Sequence, residues 1–288
     1  MVYRISIGIV ALAVALIVGN FSAPAQDLSK YPDWKGAWSR LAVPGVRGQP
    51  SFDQTKSWGL GQQAPLTPEY QKVLEDSIAD QAEGGQGNFF DHARCMPAGM
   101  PLMMVAFFPI EFVIVPDTTY ILIGEQNHYR RIFTDGRDWP KEIEPTYQGY
   151  SIGRWIDEDG DGRYDVLEVE TRGPFKGPRS YDATGLPLHF DNQSIFKERM
   201  YRDKSNPTIL HDEITVIDNA LTRPWTVDKK YVSDLNPRPN WLESICLEAG
   251  LLIAIGKELY SVSADGRLMP VRRGQKPPDL WYFNQTQK

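Results

Sequence analysis

IEFVIVPDTTYILIGEQNHYRRIFTDGRDWP, residues 110–140, decides the fold. Three runs of strand length, IEFVIVP, TYILIGE and YRRIFTD, are separated by turns at Asp117-Thr118 and Gln126–His128. Tyr120, Leu122 and Gly124 alternate with Ile121, Ile123 and Glu125, the period of a strand. Strands joined by turns this short pair antiparallel. Asp135-Gly136-Arg137 makes the next turn.

The same reading extends along the chain. Residues 150–172, YSIGRWIDEDGDGRYDVLEVETR, put two strand-like runs around an acidic loop. SIFKERMYR (194–202), TILHDEITVID (208–218) and PWTVDKKYV (224–232) read as three more strands, and LLIAIGKELYSVS (251–263) carries one or two. Eight or more strands joined by short turns predict a mainly β, antiparallel barrel, because closing the sheet removes its edges. A β-sandwich is the alternative. Two short helices are expected. One starts at Thr67 (N-cap), Pro68 (N1) and Glu69, carries Tyr70, Val73, Leu74 and Ile78 at helical spacing, and stops at Gly84-Gly85. The other covers residues 240–249.

The first 25 residues read as a secretory signal peptide: Arg4, an apolar run Ile5–Val18, then Ala23-Pro24-Ala25 as a small-x-small cleavage site. This predicts a periplasmic or secreted protein, with residues 26–288 as one β-rich domain and no later membrane span. Without Arg4 the 31 basic residues become 30 against 37 acidic, a net charge of −7, which argues against a nucleic-acid partner. In an oxidising compartment the two cysteines, Cys95 and Cys246, are expected to form a disulfide, the alternative being two buried thiols.

The acidic loop matches the spacing of a twelve-residue calcium loop. Asp157, Asp159 and Asp161 stand at positions 1, 3 and 5, Gly162 at the sharp turn, Arg163 where a backbone carbonyl binds, Asp165 at position 9 and Glu168 at position 12. The expected cofactor is therefore a structural Ca2+, held by Asp157, Asp159, Asp161, Arg163, Asp165 and Glu168, with every ligand drawn from the loop. Strands rather than helices flank it, and Tyr164 holds position 8, where an aliphatic residue is usual.

Other candidates are less specific. Met100, Met103, Met104, Phe107 and Phe108 crowd together and suit either a mouth for an apolar ligand or core filling. His189 with Asp191 sits on the long 173–194 loop, and His211 with Glu213 shares one strand face with Thr215. No zinc spacing among the histidines, nucleophile elbow or phosphate loop is present in the sequence.

Two resemblances carry further expectations. Gly36-Ala37-Trp38 resembles the Gly-x-Trp opening of lipocalin-like barrels, which implies a Trp closing the barrel floor. CMPAGMP (95–101), RRIFTDGRDWP (130–140), GYSIGRW (149–155), EVETRG (168–173), TRPWT (222–226) and DLWYF (279–283) together resemble a broad family of uncharacterised exported bacterial proteins. That resemblance implies an exported, barrel-like protein, with a short Gly-Asp turn where this chain has its acidic loop. It implies no reaction. The expected function is an exported β-barrel that binds a small, largely apolar molecule. A periplasmic hydrolase or isomerase using a His/carboxylate pair in the barrel, and an envelope interaction protein without a ligand, are the alternatives. Oligomeric state is not readable.

Overall fold

A computed structural model describes residues 28–41, 64–83, 97–106, 108–176, 179–180, 187–189, 193–236, 238–241, 252–255, 258–263 and 265–278. The signal peptide, Cys95, Phe107, Asp191, Cys246 and nearly all of the expected second helix lie outside them.

The barrel is built from β1 (Ala37–Arg40), β2 (Ile110–Val115), β3 (Thr118–Ile123), β4 (His128–Phe133), β5 (Tyr150–Ile156) and β6 (Val166–Arg172). It continues, past a two-stranded hairpin of β7 (Arg179–Ser180) and β8 (Pro187–His189), with β9 (Ile195–Arg202), β10 (Ile209–Ile217) and β11 (Trp225–Ser233). The order round the closed barrel is β1-β11-β10-β9-β6-β5-β4-β3-β2. The expected antiparallel barrel is therefore present, with one difference. A closed ring of nine strands cannot alternate direction throughout, and the odd pair is β4–β5, which runs parallel with Ile132 opposite Ser151. Residues 134–149 make that crossover. Gly149 ends it at φ +73°, where a Cβ would lie 2.7 Å from the Arg172 carbonyl oxygen.

β1 closes the ring, pairing Trp38 with Ser233 of β11 and with Ile110 of β2. Trp38 is buried and donates its indole N–H to the Trp34 carbonyl at 2.9 Å.

Helix α1 (Pro68–Ala82) starts where its cap residues predict and packs Tyr70, Val73, Leu74 and Ile78 against the core. It docks beside the β10–β11 connection, where the Thr67 N–H donates to the Ala220 carbonyl. Strands β12 (Leu252–Ile255), β13 (Glu258–Val262) and β14 (Leu268–Pro270) form a separate three-stranded sheet. Among the described residues no helix is long and apolar enough to cross a membrane.

Period-two alternation sorts most strand positions, with consecutive buried residues at Val166-Leu167 and Leu210–Asp212. Trp38, Ile121, Phe196, Met200 and Ile214 point inward and are buried. Met100, Met103 and Met104 join the same core, 1%, 1% and 0% exposed. Their segment is a floor of packed side chains, and Tyr231 fastens it by donating its hydroxyl to the Met104 carbonyl at 2.7 Å.

The core also contains charge. Arg130 of β4 makes a two-pronged ion pair with Glu198 of β9, with Nη1 to Oε1 at 2.7 Å, and both side chains are fully buried. Its Nη2 also donates to Thr171 Oγ1 at 2.9 Å. Asp212 of β10 and Lys229 of β11 face inward directly opposite each other in the register. Both Asp212 carboxylate oxygens are buried without a hydrogen-bond donor. Burial and the neighbouring Glu198 push the Asp212 carboxyl well above the usual range, against the pull of Arg130 and Lys229.

Candidate functional site

Among the described residues, the inward side chains pack into one core, and the clefts described below lie on the outer surface. The outward positions of β5, β6, β9, β10 and β11 fall into rows set by the register. One row reads Arg154, Glu168, Arg199, Glu213, Asp228. The next reads Ile152, Glu170, Lys197, Thr215, Thr226. Opposite charges directly across strands attract, which stabilises each pair modestly and fixes the side chains in place. Arg154 binds Glu168 through Nη2 at 2.6 Å, and Lys197 sits 3.7 Å from Glu170. Over these rows lies a cleft of about 630 Å³, bounded on one side by the Gly136-Arg137 turn. Arg137 stacks 3.8 Å above the Phe133 ring and is bound by Asp135.

A third row carries Val166, Tyr201, His211 and Lys230. His211 and Glu213 thus share a face with Thr215, as the alternation predicts, and the face is the outer one. His211 lies between two carboxylates, with Nδ1 3.0 Å from Asp228 and Nε2 3.3 Å from Asp203. Its ring stacks on Tyr201 at 4.8 Å with planes 3° apart. Tyr201 donates to Glu213 at 2.7 Å, and burial raises its phenol well above the ordinary value, with Glu213 adding to the effect. Hydrogen bonds from the Ser205 hydroxyl, the Asn206 N–H and His211 hold Asp203 well below the usual carboxylate range. Both His211 ring nitrogens lie within hydrogen-bond distance of a carboxylate, so the cluster links β10 to β11 and to the β9–β10 turn. His189 lies on β8 opposite Arg179.

The acidic loop projects from the β5–β6 end of this wall. Asp157, Asp159 and Asp161 bring one oxygen each to within 4.8 Å of the others. Backbone N–H groups of Gly160 and Gly162 donate to Asp157 at 2.8 and 2.9 Å, and Gly162 takes φ +88°. Asp165 accepts from the Glu158 N–H at 2.9 Å through Oδ1, while its Oδ2 is buried without a donor. Arg163 donates its N–H to Asp161 at 2.8 Å. Glu168 is carried away along β6 and spends its carboxylate on Arg154. Glu158 ion-pairs with Arg199, which links the loop to the charged rows.

Between this loop, the segment 32–34 and the β9–β10 turn lies a second cleft of about 440 Å³. Trp34 forms part of its wall and packs on Trp155 and Phe112 at ring distances of 5.0 and 5.2 Å. The Tyr164 N–H donates to the Lys30 carbonyl at 2.7 Å and ties the loop to the chain's first described segment.

Sequence reasoning singled out His211, Glu213 and the Asp loop but missed Arg154, Lys197, Arg199 and Asp228. Their signal was the polar phase of each strand. Only the register shows that those phases align as a charged wall. Comparison with family models finds no match, and comparison with curated proteins finds none.

Proposed function

We propose that this is an exported binding protein that works from the outside of its barrel. The barrel is a rigid frame, the 157–165 loop holds a structural calcium ion, and a small polar molecule occupies the cleft over β5, β6, β9 and β10. One observation carries the reading: among the described residues the inward side chains pack into one core, while a cleft of about 630 Å³, a size that suits a small ligand, lies on the outer wall. Fixed rows of carboxylates, guanidinium groups and an ammonium favour a ligand rich in hydrogen-bonding groups over an apolar one. The apolar content that suggested an apolar guest, Met100, Met103 and Met104, is taken up in the core. Calcium supports the cleft indirectly, because ordering the loop positions Glu158, which holds Arg199.

Native mass spectrometry of protein from its own host tests this. A small adduct is expected on the wild type and is lost in the double variant Lys197→Glu/Arg199→Glu. An adduct that survives the double variant refutes the outer-wall site.

A further inference from the structure

His211 sits on the outer wall where β9 turns into β10, and strand alternation decides what surrounds it. β10 sends His211 and Glu213 outward, β9 sends Arg199 and Tyr201, and β11 sends Asp228 and Lys230. The register sets His211 directly between Tyr201 and Lys230. Asp203 enters from the β9–β10 turn. Its Oδ1 accepts from the Ser205 N–H, the Ser205 hydroxyl and the Asn206 N–H at 2.7, 2.6 and 2.8 Å. Its Oδ2 faces His211 Nε2 at 3.3 Å. The charged groups around the imidazole are therefore Asp203, Asp228, Glu213, Arg199 and Lys230, with the Tyr201 ring against its face.

These partners fix which protons the ring carries. The donors of the turn, the Ser205 hydroxyl foremost, keep Asp203 ionised, so Nε2 must donate to it. On the other side Nδ1 lies 3.0 Å from both oxygens of Asp228, whose charge the Lys230 ammonium balances at 3.5 Å. A neutral imidazole has one N–H and one lone pair, and that lone pair would point at a carboxylate. The imidazolium donates to both. Its charge reaches the cleft through Tyr201. The two rings lie 4.8 Å apart with planes 3° apart, and a cationic ring is attracted to an aromatic face. The Tyr201 hydroxyl donates to Glu213 at 2.7 Å, and the Arg199 guanidinium lies 4.8 Å from the same Tyr201 ring. Glu213 and Arg199 both line the cleft of about 630 Å³.

We infer that His211 is a positioning residue for this cleft: its second ring proton holds Tyr201 in place, Tyr201 sets Glu213 and Arg199, and the ligand is released when that proton is lost. As pH rises, one ring nitrogen turns a lone pair on a carboxylate, and the stack and the two cleft residues loosen together. The inference rests on the outer-wall reading above and adds control of that site by pH.

Ring 15N shifts of histidine-labelled protein give the pH at which His211 loses its second proton, with the His211→Gln spectrum assigning the signal. Native mass spectrometry of host-purified protein then measures the host adduct on either side of that pH. The adduct is expected to fall about tenfold above it, the factor that goes with one charge-assisted hydrogen bond. His211→Gln is expected to hold little adduct at either pH. Tyr201→Phe, which keeps the ring but loses the bond to Glu213, is expected to hold little although His211 still titrates, and it carries the test if the His211 variant is unstable. An adduct indifferent to the His211 titration, or held equally by His211→Gln, overturns the inference and leaves the outer cleft standing. An adduct that survives Lys197→Glu/Arg199→Glu refutes the cleft itself. Carboxyl labelling at one fixed pH below the His211 transition needs no ligand. Glu213 is expected to label faster in His211→Gln and in Tyr201→Phe than in wild type, and equal rates overturn the inference, as does a bare His211 ring nitrogen at that pH.

Discussion

Asp212→Asn is the substitution whose outcome depends most on the barrel's interior. Asp212 is 0% exposed, and neither carboxylate oxygen has a donor. The groups that act on it are Glu198 on β9, Arg130 on β4, and Asp228 and Lys229 on β11; Tyr231 lies on the same inward phase of β11. Burial and Glu198 outweigh the cations, so the folded state holds a proton on Asp212 that the unfolded chain releases near pH 4. The sign follows from linkage. Above the unfolded value the native state binds more protons, so stability falls as pH rises, by about 1.4 kcal/mol per unit, until the raised folded value is passed. Below pH 4 both states are protonated and the contribution is fully present. Asparagine has nearly the same shape and no charge to bury. Asp212→Asn is therefore expected to gain on the order of 1–4 kcal/mol at pH 7, the upper end being three pH units at about 1.4 kcal/mol each, or about 2–16 °C in Tm at the usual 2–4 °C per kcal/mol for a chain of this size. The assay is thermal melting of both proteins from pH 4 to pH 8. Their difference should be near zero at pH 4 and grow with pH, which cancels the titration of every other group. A variant less stable than wild type at pH 7, with a difference that does not change with pH, refutes the reasoning. It would mean that Asp212 is ionised and paired with Lys229.

Two other outcomes follow from the same structure. Arg130→Met alone leaves Glu198 charged and buried and should cost about 3–5 kcal/mol, whereas Arg130→Met with Glu198→Met should recover most of that, measured by urea unfolding. If calcium binds the folded loop only, a free concentration one hundred times its Kd adds about 2.7 kcal/mol, so chelation should lower Tm by about 5–10 °C. An unchanged Tm after chelation removes calcium from the account.

Much of the barrel could be read from the chain because each strand announced itself separately. IEFVIVP, TYILIGE and YRRIFTD show their period in their own residues, and Thr67-Pro68-Glu69 marks the start of α1 locally. What could not be read was whatever depended on which strand met which. Nothing in residues 128–156 states that β4 and β5 run parallel; that follows from nine strands closing a ring. Arg130 and Glu198 are 68 residues apart, and their pairing exists only because both point inward at one level of the barrel. The acidic loop shows the same division. Its Asp spacing was visible, and Asp157, Asp159 and Asp161 do converge, but the fate of Glu168 was decided by the strand that follows. The Met segment was ambiguous between mouth and core, since chemistry that suits an apolar ligand also suits packing.

The central claim is that ligand binds outside the filled barrel, over the charged rows. Carboxyl footprinting with mass-spectrometric readout tests it most directly, on host-purified protein before and after its ligand is stripped. Stripping is expected to raise the labelling of Glu168, Glu170 and Glu213, which line the cleft, and to leave Asp76 and Asp265 unchanged. Equal labelling of Glu168, Glu170 and Glu213 in the two samples would contradict it.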